Sequence, residues 1–84
     1  MSVKIIDSIE YCCCLKGVFV KHQLAELAKK VNTDVQNLEY EYQTDGNIVL
    51  DEFVIITFKS GYVRRVNITC DSYKSITEDV LKKI

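Results

Sequence analysis

Two apolar segments separated by a short turn constrain the fold of this chain more than any other feature. Phe53 to Phe58 and Tyr62 to Thr69 are rich in β-branched and aromatic residues, and Lys59-Ser60-Gly61 lies between them. This pattern predicts two antiparallel strands joined by a tight turn. We favour a three-residue loop closed by Gly61 in the left-handed conformation over a two-residue loop, because it gives one clean apolar face. The favoured loop sets three opposing pairs: Phe58 with Tyr62, Ile56 with Arg64, and Val54 with Val66.

The faces of this hairpin differ from those of an ordinary one-sided sheet, in which apolar and polar residues alternate. One face is almost entirely apolar, whereas on the other Phe53, Ile55 and Val63 lie beside Arg65. We therefore expect either the protein's own N-terminal segment or another chain to cover part of the mixed face. The apolar face carries Val54, Ile56, Phe58, Tyr62, Val66 and Ile68, with Arg64 at its margin; the mixed face also carries Thr57, Asn67 and Thr69.

Two amphipathic helices are predicted outside the hairpin. Lys21 to Val31 has apolar residues at the spacing i, i+3, i+4 and i+7, and Val20 extends this stripe backwards. Ser75 and Glu78 match a capping box and predict a terminal helix that runs to Ile84. The side chains expected to face the sheet are Leu24, Leu27, Ala28 and Val31 in the first helix, and Ile76, Val80, Leu81 and Ile84 in the second.

The N-terminal segment is compatible with two structures. Val3 to Ile6 fits a short strand, whereas the residues that follow it can cap a helix. We favour a helix from Ser8 to Leu15 that ends at Gly17, since glycine is common just after a helix C-terminus. Val18 to Val20 is a short apolar run that fits a strand turn or an anchor.

A third strand is predicted before the hairpin. Residues 35–43 also fit one helical face, but Leu38 to Gln43 alternates apolar and polar residues, so we favour a strand. Thr44 to Asn47 predicts a turn, because Asp-Gly tolerates positive φ angles. A bulge or break is expected at Asp51-Glu52, which interrupts the next apolar run. A two-residue turn at Asp45-Gly46 would pair Tyr42 with Val49, Tyr40 with Asp51, and Leu38 with Phe53.

These elements predict an α+β fold. A three-stranded antiparallel meander is packed against an amphipathic helix and a C-terminal helix, with an N-terminal helical or short strand segment. Residues 1–84 are expected to form a single domain. Both helices are expected on the same face of the sheet, which leaves the other face for a partner.

Composition and charge exclude several classes of protein. The 84 residues are 48% hydrophobic and 27% charged, as in ordinary globular domains. A net charge of −1 argues against nonspecific binding to a phosphate backbone, although it leaves room for a local basic patch. We see no signal peptide and no segment long enough to cross a bilayer, so we expect a cytoplasmic protein with no membrane partner. Four cysteines then fit reduced thiols.

Cysteine and histidine give little support to metal or catalytic chemistry. Cys12, Cys13 and Cys14 are adjacent, whereas zinc ligands usually come in pairs separated by two to four residues. Packing as small apolar side chains explains them better. Cys14 or Cys70 could act as a nucleophile with His22 as its base, but no oxyanion-hole signature accompanies these residues. We therefore expect no metal, no cofactor, no catalytic residues and no enzymatic activity.

The hairpin has a basic end that suits nucleic acid in part. Lys59, Arg64 and Arg65 lie near Tyr62, a combination that can hold a phosphate and stack a base. Acidic residues predicted in the neighbouring strands would partly cancel this field. We therefore interpret the basic residues as charges that keep an edge strand soluble, and a nucleic-acid partner is not favoured.

A winged-helix regulator that binds DNA is the second choice for function. Gln23 to Asn32, followed by a second helix from Asp34, would resemble the first half of a helix-turn-helix, with the hairpin as its wing. Glu39 and Glu41 lie in the segment that would be the recognition helix, and their charges repel phosphates.

The first choice is a small non-enzymatic protein-interaction module. A partly apolar face that carries tyrosine and arginine has the composition of interface hot spots. The partner would be another protein or a second copy of the chain. Size and the lack of catalytic motifs are similar in style to accessory or inhibitor-like proteins of phages and mobile elements. The predicted protein-binding residues are Tyr40, Tyr42, Phe53, Ile55, Val63 and Arg65, on a face that also holds Leu38.

Overall fold

A computed structural model describes residues 15–46, 48–69 and 71–84. Three strands form an antiparallel sheet in which each strand pairs with the next one along the chain, and the predicted α+β meander is confirmed. The helix predicted from Ser8 lies outside the described residues apart from Leu15, which is helical, and so does the short strand considered near the N-terminus. The described elements are helix α1 through residues 15–31, strands β1 (Val35–Asp45), β2 (Ile48–Phe58) and β3 (Val63–Asn67), and helix α2 (Tyr73–Lys82).

Helix α1 contains one unusually wide turn. Phe19–Leu24 is π-helical and Ala25–Val31 is a regular α-helix. The backbone N–H of Ala25 donates to the carbonyl of Val20, five residues earlier. Gly17 was predicted to end a helix, and this is wrong: residues 15–18 are helical and continue without a break into the wide turn.

The π-helical turn changes which side chains of α1 are buried. Leu27 and Val31, predicted to face the sheet, are exposed instead. The prediction assumed 3.6 residues per turn throughout, whereas a π-helical turn holds one residue more and moves the inward positions along by one. The buried side chains of α1 are Val20, Leu24, Ala25 and Ala28.

The β2–β3 hairpin has the predicted register. Gly61 has a φ of +94°, the left-handed conformation that a three-residue loop requires. Its N–H donates to the carbonyl of Phe58 at 2.9 Å, and the Phe58 N–H donates to the carbonyl of Tyr62 at 2.8 Å. Ile56 lies opposite Arg64 and Val54 opposite Val66, as the loop length predicts.

The β1–β2 hairpin has a different register from the predicted one. Asp45 lies opposite Ile48, and Gly46, in the connection, has a φ of +61°. A bulge between Val49 and Asp51 leaves Leu50 without an opposing residue, next to the position where an irregularity is expected. The predicted pairs are therefore wrong, and the observed pairs are Tyr42 with Glu52, Tyr40 with Val54, and Leu38 with Ile56.

The core lies between the two helices and one face of the sheet. Within the described residues, every strand contributes to it. The core side chains of β2 alternate along the strand, whereas in β1 an irregularity after Val35 places Val35 and Leu38 in the core although they are three residues apart. Phe19, Tyr40 and Ile84 pack against its margin. Its buried residues are Val20, Leu24, Ala25, Ala28, Val35, Leu38, Val54, Ile56, Phe58, Val66, Ile68, Ile76 and Val80.

Helix α2 begins three residues earlier than predicted. Ser72 is the N-cap, and its hydroxyl accepts a hydrogen bond from the N–H of Ser75 at 3.2 Å, so the capping box predicted at Ser75 is wrong. The helix ends at Lys82 rather than Ile84. Ile84 remains anchored, because the side-chain amide of Asn32, the residue that ends α1, donates to its carbonyl at 2.9 Å.

Candidate functional site

The face of the sheet that points away from the helices is the candidate site, which we call the open face. Its side chains alternate with those of the core, and within the described part of the chain none of them belongs to the buried cluster. The open face consists of Asn37, Glu39, Glu41 and Gln43 from β1, Asp51, Phe53, Ile55 and Thr57 from β2, and Val63, Arg65 and Asn67 from β3.

An apolar strip crosses the middle of the open face. Phe53 and Ile55 lie on the central strand and are half-buried, although no helix of the described region packs on this side. Val63 on β3 keeps 51% of its surface exposed. Because the central strand carries apolar side chains on both of its sides, one helical layer cannot cover all of them.

Arg65, on β3, covers one end of the strip and contacts residues on both β2 and β1. Its guanidinium carbon lies 4.4 Å from the centroid of the Phe53 ring, in cation–π geometry. Its Nη2 lies 3.3 Å from Oε1 of Glu41, on β1. Both charged side chains are mostly exposed, so the pair holds Arg65 in place more than it stabilises the fold.

A shallow depression of about 350 Å³ lies at this end of the sheet. Arg65 thus presents a planar, charged group above an aromatic ring beside a concavity, an arrangement that is typical of protein-interface anchors. The depression is lined by Glu41, Gln43, Phe53 and Arg65 of the open face and also by Tyr40 and Tyr42, which alternate with Glu41 and Gln43 along β1.

The structure separates the predicted site residues into two groups. Phe53, Ile55, Val63 and Arg65 share the open face, as predicted. Tyr40 and Tyr42 were placed on the same face, and this is wrong, because the shifted β1–β2 register turns their side chains to the helix side. Leu38 is likewise on the helix side and is buried.

The two tyrosines belong to a polar cluster at the edge of the core. Their rings stack with centroids 5.6 Å apart. The Tyr40 hydroxyl donates to Oε1 of Glu52 at 2.6 Å, and Nζ of Lys16 lies 2.7 Å from the same oxygen. Glu52 is 4% exposed, so this carboxylate is a buried charge with a cationic partner from α1. The sequence signal was an acidic pair within an apolar run, which the prediction interpreted only as a bulge.

Asp71 lies close to this cluster, at the start of α2. The pKa of Asp71 is raised because its carboxyl group shares a hydrogen bond with Asp79, because it is partly buried, and because the charges of Asp79 and Glu52 repel a second negative charge. Lys16 acts in the opposite direction. Oδ2 of Asp71 is buried without a hydrogen-bond partner, which agrees with a carboxyl group under repulsion.

Of the residues considered for metal or nucleophilic chemistry, the described region contains only His22. His22 is exposed on the π-helical turn of α1, and the four cysteines lie outside the described residues. Among residues 15–46, 48–69 and 71–84, no group of three or more His, Cys, Asp and Glu side chains is arranged to hold a metal ion. No helix in that part of the chain has the length and apolar composition needed to cross a membrane.

Comparison with known proteins gives no functional assignment. The sequence matches no protein-family model and no curated protein, and the fold matches no solved structure. The geometry of the open face, rather than a relative, must therefore support any functional conclusion.

Proposed function

We propose that this protein is a non-enzymatic interaction domain that binds a partner protein through the open face. The observation that carries the proposal is the apolar strip on the central strand, whose side chains are only half-buried, whereas on the opposite side of the same strand Glu52, Val54, Ile56 and Phe58 are buried. Isolated apolar side chains on a surface need no explanation, but a continuous strip on a sheet face does. Burial against a partner would stabilise this strip, as burial against the helices stabilises the opposite face.

The arrangement around the strip supports a protein as the partner. Arg65 and Phe53 provide a stacked cation and ring, which are residue types enriched at interface centres. Glu39 and Glu41 line the β1 side and provide a polar rim. The partner is another protein or a second copy of this chain, and the two are distinguished by experiment below.

The winged-helix alternative loses its main structural element. The segment after Asp34, which would have formed the recognition helix, is strand β1. A helix-turn-helix places its second helix in the major groove, so β1 cannot act in that way. This argues against that mode of DNA recognition.

A pair of matched substitutions tests the proposal. Val63→Lys places a charge in the apolar strip, whereas Val18→Lys makes the same change on α1, at a side chain of similar exposure, 53% against 51%. We expect Val63→Lys to weaken partner binding by at least about 1 kcal/mol, or roughly fivefold, and Val18→Lys to leave it unchanged.

Two measurements cover the two kinds of partner. Light scattering after size-exclusion chromatography would show a dimer for the wild type and Val18→Lys, and a monomer for Val63→Lys, if the partner is a second copy. Quantitative mass spectrometry of proteins retained from a lysate of the source organism would show a protein lost only with Val63→Lys if the partner is another protein. A monomer for all three chains, together with no protein that depends on Val63, would disprove the proposal.

A further inference from the structure

A second surface of the molecule carries concentrated positive charge, which we call the basic end. It lies where α1 ends, where the β2–β3 turn projects and where α2 ends. The three regions are joined by hydrogen bonds: the Lys59 N–H donates to the carbonyl of Asp34 at 2.7 Å, the Asn32 amide donates to the carbonyl of Ile84 at 2.9 Å, and Arg64 Nη1 donates to the carbonyl of Lys83 at 3.0 Å.

Six of the eleven lysine and arginine residues converge there, from segments far apart in the sequence. They lie in the last turn of α1, in the turn after β2, on β3 and at the end of α2. Within the described region, none of the six forms an ion pair with a carboxylate. The six residues are Lys29, Lys30, Lys59, Arg64, Lys82 and Lys83.

The acidic residues expected to cancel this charge lie elsewhere. Glu52 is buried beside Lys16, and Glu41 is paired with Arg65 on the open face. Oε2 of Glu39 lies 3.8 Å from Nζ of Lys21. The nearest acidic positions in the sequence are Asp34 in the α1–β1 connection and, one helical turn back from the lysines, Glu26, Glu78 and Asp79. Lysines at helix C-termini complement the helix dipole, but that preference does not explain why two such termini meet at a basic turn. A net charge near zero therefore hides strong separation of charge along the molecule.

Two details of the basic end indicate the chemistry of a ligand. A depression of about 280 Å³ is lined by Lys29, Thr33, Val35, Gln36 and Lys59, and the two lysines in this set carry ammonium groups of the kind that bind a phosphate. Tyr62, three residues after Lys59 at the end of the same turn, is 56% exposed, and its ring contacts Phe58, at a centroid distance of 5.6 Å, and the guanidinium carbon of Arg64, at 5.7 Å from the ring centroid.

We propose that the basic end binds single-stranded nucleic acid, with Lys29 and Lys59 on the phosphates and Tyr62 as a stacking platform for a base. An exposed aromatic ring beside lysines is the combination that single-strand binders use. A duplex keeps its bases stacked and would leave Tyr62 unused. An anionic membrane would not exploit a concave site lined by hydrogen-bond donors. This surface is separate from the open face, so the proposal does not depend on the proposed protein partner.

The test measures fluorescence anisotropy of a labelled twelve-nucleotide oligothymidine and of a labelled duplex of the same length, over a range of salt concentrations. Binding to vesicles containing phosphatidylserine is measured separately at the same salt concentrations. We expect the oligothymidine to bind more tightly than the duplex, with affinity that falls as salt rises. Lys29→Gln with Lys59→Gln should make the slope of log affinity against log salt shallower by about 1.4, since each lost phosphate contact to a single strand contributes about 0.7. Tyr62→Ala should weaken binding about fivefold or more without changing that slope, and Tyr62→Phe should retain it.

The matched control is Lys21→Gln with Lys74→Gln, which removes the same charge from exposed positions away from the basic end. We expect this variant to bind the oligothymidine almost as the wild type does. An equal loss in both double variants would mean that only net charge matters and would overturn the site. Absence of oligothymidine binding at low salt, preference for vesicles, or duplex binding that is as tight and is unaffected by Tyr62→Ala would each overturn it as well.

Discussion

Removing the cation from the buried ion pair is expected to destabilise the fold strongly. Lys16→Met keeps the approximate length of the side chain but removes the ammonium group that lies 2.7 Å from Oε1 of Glu52, a residue that is 4% exposed. Breaking a buried ion pair from one side typically costs about 3–5 kcal/mol. Lys16 is itself 22% exposed and the Tyr40 hydroxyl remains bonded to the same oxygen, so we expect about 2–3 kcal/mol here. The assay is urea unfolding, with the free energy of unfolding compared at constant m-value.

A double variant and a surface control test the reasoning. Lys16→Met combined with Glu52→Leu removes both charges, and we expect it to be less destabilised than Lys16→Met alone, because a buried pair replaced by apolar groups is often neutral, although the Tyr40 hydroxyl also loses this acceptor. Lys21→Met removes the cation of an exposed pair, 3.8 Å from Glu39, and should cost no more than about 1 kcal/mol. Costs that simply add in the double variant, or a Lys16→Met cost as small as that of Lys21→Met, would refute the idea of a buried, coupled pair.

Two further predictions concern the start of α2. Asp71→Asn should stabilise the protein at neutral pH. The pKa of Asp71 is raised in the fold, so its ionised carboxyl group destabilises the folded state as pH rises above the unfolded pKa of 3.8. Unfolding measurements at several pH values should therefore show a gain in stability that vanishes below that pH. No pH dependence of the gain would contradict this. Ser72→Ala should cost about 1 kcal/mol of unfolding free energy as the loss of an N-cap, whereas Ser75→Ala should cost less; the opposite order would restore the capping box at Ser75.

The β2–β3 hairpin was predictable in detail because its register depends on one local feature, the length of the loop. Gly61 provides the positive φ that a three-residue loop needs, and the apolar pattern of both strands agrees with that loop. The two signals support each other, so the prediction of the faces around Phe53 and Arg65 holds. Local and global preferences coincide here, which is the condition for reading structure from sequence.

The β1–β2 hairpin was not predictable in the same way, because two small irregularities combine. The connection after Asp45 shifts the pairing by two residues and the bulge at Leu50 by one more, so each partner on β2 lies three residues beyond the assumed one, an odd shift that has the same effect on the faces as a shift of one. A shift of one residue turns every side chain of a strand to the other face. The signal that favoured the correct faces was the alternation around Tyr40, with Glu39 and Glu41 suited to the solvent side.

The basic end was missed for a different reason. Linear proximity suggested that acidic residues of neighbouring strands would screen Lys59 and Arg64. In the fold, Glu52 is neutralised by a lysine from α1, and Glu41 faces the opposite side of the sheet. Partners in a buried or cross-strand ion pair are set by tertiary packing, and no local pattern identifies Lys16 as the partner of Glu52.

The wide turn of α1 has a consequence for changes in chain length. Deleting one residue within Phe19–Leu24 would leave residues 15–18 oriented almost as they are, because a regular α-helix with one residue fewer covers nearly the same angle about the helix axis. If the six residues instead closed into a regular α-helix without a deletion, residues 15–18 would rotate by about 100° relative to Ala25–Val31. Lys16 would then swing away from Glu52, although every residue that forms the pair would still be present. The wide turn is therefore what keeps Lys16 aligned with Glu52 at the present chain length, and this segment should tolerate the loss of one residue better than the loss of the turn itself.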